Sequence, residues 1–361
     1  MPLSDVLPDI YVPAFLLKVD NQKLDPETAA SILEVSCTEY LDPPNEFSFR
    51  VHDPTLKLIN QTKGPMTEGK RVEMSLGYRD HTQLMIVGEI DALSAEFPNG
   101  GAPELEVSGH DLLHAATRGT THRCFSGQDP DSAMSDSEVI TTIAKELNLK
   151  PSVDQSPTRK KPWVQDNITT LQLLEDIVAA SGFFLWVDGD TLYFKENPPA
   201  PATIQVHFGQ SLLSFSVRLS TAGQVNAFEV RGYDDGQGQP VKGRAERTTG
   251  SLAQSGEQQV ARGAGGKSER IIWGSFGFDS AEEAQDHADR LMTDQEQRAV
   301  TGSGSSVGRT DIRAGTILDV KGVGRFEGQY QVDSVTHTIG SSGFQTSFEV
   351  RKLGKRGSPG S

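Results

Sequence analysis

Long hydrophobic runs are missing from this sequence, and with them any helix that could cross a bilayer. The longest apolar stretch, Phe183 to Val187, is far below the roughly 20 residues a span needs. No basic N-terminus leads into an apolar segment, so no secretory signal is read. The chain is expected to be made in the bacterial cytoplasm, without membrane insertion of its own. Cysteine is almost absent, and Cys37 and Cys124 cannot form a zinc site alone. Cys37 alternates with Leu33 and Val35 as a small core residue would, and His122-Arg123-Cys124 offers at most two ligands of an incomplete metal site. Positive charge is the minority: 34 basic residues against 49 acidic ones give a net charge of −15, which repels phosphate backbones and argues against a nucleic-acid partner. The densest basic clusters, Arg159-Lys160-Lys161 and Arg351-Lys352 with Lys355-Arg356, are short, lack interleaved aromatics and read as solvated loops.

Catalytic signatures are missing as well. No Gly-x-Ser-x-Gly elbow, Walker loop or dinucleotide fingerprint follows a strand. Gly302-Ser303-Gly304 lies between a helix and a strand, the wrong order for phosphate binding. His110-x-x-x-His114 would stack two imidazoles one turn apart on a helix, but a metalloprotease needs Glu where Asp111 stands, and no third ligand is evident. Asp129, Asp131, Ser135, Asp136 and Glu138 are similar to a calcium loop, yet Met134 occupies the place of the turn glycine, and helix capping explains them better. Glu282-Glu283 lies at a helix start, where the dipole favours acids. The chain is therefore read as no enzyme, with no catalytic, cofactor or metal residue assigned. A cell-wall glycan hydrolase built on clustered carboxylates and a β-rich receptor-binding protein are the alternatives.

What is present is turn chemistry and alternation. The 36 glycines and 19 prolines suit many short strands, and 361 residues exceed one ordinary core. Strands are expected at Phe15–Val19, Ile32–Cys37, Phe47–Val51, Arg71–Tyr78, Thr82–Val87, Glu89–Phe97 and Glu104–Ser108. The period then changes. Capping boxes at Ser135-x-x-Glu138 and Thr169-x-x-Gln172 open two amphipathic helices, with Gly182 ending the second. A hairpin around Asp188-Gly189-Asp190 follows. After the linker Asn197–Pro201, strands are expected at Leu212–Leu219 and Ala227–Gly232. Residues 234–268 are too polar to order and read as a mobile loop. A third helix, capped by Ser280-x-x-Glu283, carries a small-residue stripe through Ala284, Ala288 and Met292, and more strands run from Ala299 to Arg351.

The first and last sections echo each other. Ile90-Asp91 lies on Val332-Asp333, Phe97 on Ile339, and Gly69-Lys70-Arg71-Val72 on Gly315-Thr316-Ile317-Leu318. Both end in a strand carrying Glu-Val, Glu106-Val107 and Glu349-Val350, one residue out of step. A repeat separated by about 240 residues is a duplicated β domain with an insert, not a solenoid. The fold class is thus α+β, mainly β: two similar antiparallel β-barrel domains with a small α/β insert between them. The boundaries are 1–121, 122–200 and 201–361.

The chain resembles the late control protein D family of contractile-tailed phages, and the hub part of the valine-glycine repeat proteins of type VI secretion. Gly69-Lys70-Arg71-Val72, Val87-Gly88-Glu89-Ile90, Val107–Leu113, Asn167–Leu171 leading to Gly182, and Ile312–Leu318 carry the likeness along nearly the whole chain. The resemblance implies a baseplate hub: a homotrimer whose six barrels adapt a three-fold spike to a six-fold tube. Its partners would be a spike protein, the inner-tube protein and other baseplate components, within an assembled tail or injection particle. No repetitive β-helix follows Glu349-Val350, so the spike is expected on a separate chain.

Overall fold

The computed structural model describes residues 12–42, 44–79, 81–126, 133–157, 162–196, 203–220, 225, 227–234, 239–246, 269–273, 280–297 and 299–353. The first unit runs β1 (Pro13–Val19), β2 (Gln22–Lys23), α1 (Pro26–Ala30), β3 (Ile32–Tyr40), β4 (Glu46–His52), β5 (Arg71–Tyr78), β6 (His81–Glu96) and β7 (Glu104–Asp111). Alternation decides which way each strand faces. Phe47, Phe49 and Val51 are buried with Val72, Met74 and Leu76, while Glu46 and Arg50 lie exposed. The sequence expects two strands where β6 is one continuous strand, because β5 holds its first half and β7 its second. Between β4 and β5 the buried carboxylate of Asp53 accepts the backbone N–H groups of Lys57, Leu58 and Ile59, which folds that loop onto the core.

A smaller α/β module follows: a 3-10 turn at Leu112–Thr117, β8 (Thr121–Phe125), α2 (Asp136–Glu146), β9 (Lys150–Val153), β10 (Trp163–Ile168), α3 (Thr170–Ser181), β11 (Phe184–Asp188) and β12 (Thr191–Lys195). Both expected capping boxes form, and Gly182 takes φ 72°, the left-handed conformation that closes α3. Val139, Ile140 and Ile143 of α2 pack with Leu173, Leu174 and Ile177 of α3 in a core that also holds Leu113 and Phe194. The Asp-Gly hairpin joins β11 to β12.

The last section holds β13 (Ile204–His207), β14 (Leu212–Leu219), β15 (Ala227–Asp234), β16 (Gln239–Glu246), β17 (Glu269–Trp273), α4 (Ala281–Gln297), β18 (Val300–Val307), β19 (Ile317–Lys321), β20 (Gly328–Gly340) and β21 (Gly343–Lys352). The stretch expected to form a mobile loop, 234–268, contains strand β16, which pairs along its whole length with β15. Its alternation of Val241, Gly243 and Ala245 lies under α4, a small-residue signal too weak to read alone. There Ala284 and Ala288 approach so closely that a Cβ on Gly243 would fall 2.1 Å from the Ala284 carbonyl oxygen. Residues 247–268 lie outside the described residues.

The first and last sections share one thirteen-stranded sheet, and within it a unit is repeated. Its order is β3-β4-β7-β6-β5 in the first copy and β14-β18-β21-β20-β19 in the second. The match reaches single hydrogen bonds. Gly69 N–H donates to Ile90 O and Ile90 N–H to Lys70 O; Gly315 N–H donates to Val332 O and Val332 N–H to Thr316 O. Gly69 and Gly315 both take positive φ, 78° and 82°. Both long strands bulge at the same place, between Ile90 and Ala92 and between Val332 and Ser334. The strand-end echo is corrected by the ladders. Val350 faces Val332 as Gly109 faces Ile90, so Glu349-Val350 corresponds to Ser108-Gly109 and not to Glu106-Val107.

The two closed barrels are not what the described strands form: the sheet is an open path. In the first unit the reason is that β3 gives its second edge to β20 of the other unit rather than to β1. In the second, no ladder joins β13 to β14 among the described residues; only Phe208, just past β13, bridges to Leu212. No helix among the described residues is long and apolar enough to cross a membrane.

Candidate functional site

The two units meet along one strand pairing. Strand β3 lies antiparallel on β20, with Val35 opposite Ile339, Cys37 opposite His337 and Glu39 opposite Val335. One face of this joint is a row of hydroxyls: Ser36 bonds Thr338 at 3.4 Å and Thr38 bonds Thr336 at 3.0 Å. The other face is buried and includes ionisable groups. Glu39 accepts from Arg313 Nε at 2.6 Å, and Arg313 also donates to the Met85 carbonyl at 3.2 Å. Burial pushes the Glu39 carboxyl up, and the guanidinium beside it pulls the other way. His337 bonds the Ile312 carbonyl through Nε2 and the Thr346 hydroxyl through Nδ1, both at 3.0 Å. A carbonyl only accepts, so Nε2 carries the proton, and burial lowers the imidazole to about 4.

The strand edges that form this joint recur in the repeat, and among the described residues they are not paired there. The counterpart of β20 beyond its bulge is Ala92–Glu96 of β6, which has β7 on one side and no ladder on the other among the described residues. The counterpart of β3 is β14, which pairs with β18 alone. Side chains buried in the filled joint are open here. Phe97 is 63% exposed where its counterpart Ile339 is 7%; Ala95 is exposed where His337 is buried. Transferring the β3–β20 register onto these edges sets Ser94 opposite Arg218, Leu93 opposite Leu219 and Phe97 opposite Phe215. Both edges match a pairing already made in the same chain and carry no ladder among the described residues.

The residues singled out in the sequence fall elsewhere. His110 and Asp111 end β7 and His114 sits on the 3-10 turn, so the pair is not helical; the imidazoles nevertheless stack at 4.4 Å. Asp91, at the bulge of β6, contacts His110 Nδ1 and lies 3.8 Å from His114 Nε2. It supplies a third donor beside the two imidazoles that the sequence did not offer, and its echo with Asp333 marked the position without giving the contact. Burial lowers the His114 imidazole and raises the Asp111 carboxyl to about 6, although Asp111 accepts from Asn45 and Leu113 N–H. His122 pairs with Asp166 at 2.8 Å, and Cys124 is exposed and free. Ser135 and Glu138 cap α2, and Asp136 accepts from Trp163 Nε1 at 2.7 Å. Asp129, Asp131 and Arg159–Lys161 lie outside the described residues. Arg351, read as solvated, instead pairs with Asp294 and Asp333. A cleft of about 510 Å³ opens between α3 and α4, lined by Glu175, Arg290, Asp294 and Arg351 among others.

Solved structures similar to this chain include tail proteins. The 43 kDa tail protein of prophage MuSo2 from Shewanella oneidensis aligns over 94% of this chain and 98% of its own, with a TM-score of 0.71 at 13% identity. The tail protein from Neisseria meningitidis MC58 aligns over 95% and 97%, with a TM-score of 0.69 at 15% identity. The E. coli c3393 protein, a component of the type VI secretion system with structural similarity to the T4 tail proteins gp27 and gp5, aligns over 94% of this chain and 78% of its own, at a TM-score of 0.57 and 11% identity. At these identities the likeness establishes the fold. No curated protein sequence matches the chain. A family model does: that of the Alg8 N-terminal domain matches residues 55–341, from the loop after β4 to the hairpin before β21, and the chain belongs to that family.

Proposed function

We propose that this chain is a structural hub of a contractile tail or injection-system baseplate, a homotrimer that adapts a three-fold spike to a six-fold inner tube. The observation that carries the reading is the joint made once and left open once. If β14 of one copy lies on Ala92–Glu96 of the next as β3 lies on β20, the contact is head-to-tail and repeats around a ring. Two units per chain and three chains then supply six similar positions. In this reading residues 1–121 and 201–361 carry the two barrel-like ring positions, and 122–200 forms the insert. The fold shared with the Shewanella and Neisseria tail proteins supports it. So does the likeness to a type VI secretion component that is itself similar to gp27 and gp5.

The partners are a spike protein, the inner-tube protein and other baseplate components, in a particle assembled after synthesis in the bacterial cytoplasm. The acidic balance, −15 overall, would orient these partners and keep the free chain dispersed. Light scattering tests the assembly: a mass of three times 39.1 kDa is expected, alone or once spike protein is added. Ser94→Arg, which sets a second cation opposite Arg218, should return the chain to monomer, and adding Arg218→Glu should restore the trimer. A chain that stays monomeric with spike and tube protein present would overturn the reading.

A further inference from the structure

We infer that Asp91, His110 and His114 form a binding site for one divalent transition-metal ion of the zinc type. The repeat shows why this place is special. His110 occupies the position of Arg351, and Asp91 that of Asp333, whose carboxylate lies 3.0 Å from Arg351 Nε. Where the second unit puts a guanidinium, which only donates, the first puts an imidazole, which offers a lone pair to a metal. The first unit then adds a second imidazole, His114, stacked on the first with 14° between the rings. The third group of the second unit is another carboxylate, Asp294, 3.3 Å from Arg351, which completes an ion-pair cluster and not a ligand set.

The three side chains are gathered but not yet posed for one ion: a metal lies in the plane of each imidazole that binds it, so one of the two stacked rings must turn about its χ2 on binding. The donor atoms of the three side chains all lie within 4.8 Å of one another, and one donor atom of each serves as a ligand. Bonds of about 2.0–2.2 Å to nitrogen and carboxylate oxygen set such atoms roughly 3–3.5 Å apart, so the ion would draw the farthest pair in by up to about 1–2 Å and spread His110 Nδ1 from the Asp91 carboxylate. Each ligand stands on held backbone. Asp91 is fixed by the bulge between Ile90 and Ala92, and His110 by its ladder to Glu89 and Glu46. His114 is fixed by the turn that Asp111 caps at Leu113 N–H and that Leu113 and Ala116 bury on its other side. The three side chains are each between 22% and 32% exposed, which leaves a path for the ion and open coordination positions for solvent. Two imidazoles and one carboxylate select zinc, cobalt or nickel over the hard cations magnesium and calcium. Bound there, the ion ties the end of β7 and the turn into the α/β module to the bulge of β6.

The test is calorimetric titration of the full, chelator-stripped chain with zinc sulfate, repeated with calcium chloride. One equivalent of zinc per chain and no calcium heat are expected. His114→Asn should weaken zinc binding by more than the roughly 10–100-fold that loss of an outer partner costs, with the circular dichroism of the parent retained. His122→Asn and Cys124→Ser should leave the site intact. If His114→Asn misfolds, Asp91→Asn carries the same expectation. A cobalt-loaded parent should show ligand-field bands that His110→Asn loses. Absence of a saturable zinc heat, or zinc binding in the His114 and Asp91 variants equal to the parent's, would overturn the site and leave an ordinary ion pair like that of Asp333 and Arg351.

Discussion

The two copies of the repeated unit differ in what surrounds an identical framework. In the second, the edge of β20 is covered by β3, its bulge carboxylate Asp333 pairs with Arg351, and the strand face holds Val335, His337 and Ile339 buried. In the first, the same edge is bare, the bulge carboxylate Asp91 meets two imidazoles, and Phe97 stands in solvent. One backbone pattern thus serves as an internal joint in one place and an external surface in the other. The difference lies in side chains, not in strand order. Where the joint is permanent its interior tolerates a buried ion pair, Glu39 with Arg313; the β14 strand that would fill the open joint carries Leu219 where β3 carries Glu39.

The largest effect should come from breaking the filled joint. Glu39→Ala leaves the part-buried Arg313 guanidinium without its carboxylate, and up to about 3–5 kcal/mol of unfolding free energy should be lost in denaturant titration. An equal midpoint for variant and parent would mean that the joint does not hold the units together. Next is acid. The folded His337 imidazole lies at about 4 against an ordinary value of 6.5, so its contribution is complete above pH 6.5 and disappears as pH falls toward 4. That makes up to about 3 kcal/mol, which His337→Gln should remove from the pH dependence. Asp111 acts in the opposite sense, since its raised value near 6 adds stability as pH falls through the same range. The comparison of variant with parent therefore isolates the histidine. Smallest are the paired glycines. Gly69→Ala and Gly315→Ala each place a side chain at positive φ and should each cost about 1–2 kcal/mol by thermal melting. Unequal losses would show that the two units are held with different stiffness.

Much of this was legible locally. Ser135 with Glu138, Thr169 with Gln172, and Gly182 each act within three or four residues, and the hairpin at Gly189 within two, so their roles follow from spacing alone. The alternation of Phe47, Phe49 and Val51 fixed a buried face for the same reason. The echo of Ile90-Asp91 in Val332-Asp333 falls on both bulges, although nothing in it announced a bulge. Strand β16 escaped because its buried face is made of Val241, Gly243 and Ala245, whose small size means burial only once α4 lies on them. Asp91 escaped as a ligand because it is 19 residues from His110 in the chain.

The sequence by itself determined the periods, the caps, the turns and the existence of two matching units, since each depends on neighbours a few residues apart or on direct self-similarity. Tertiary structure alone decided which edge was used. Thr338 meets Ser36 across 302 residues of chain, whereas Ala92–Glu96 pairs with β7 on one edge and meets no ladder on the other among the described residues. Edge hydrogen bonds are offered by every strand backbone alike. Which of them is satisfied within the chain depends on where the completed sheet brings another strand, and no local pattern encodes that distance.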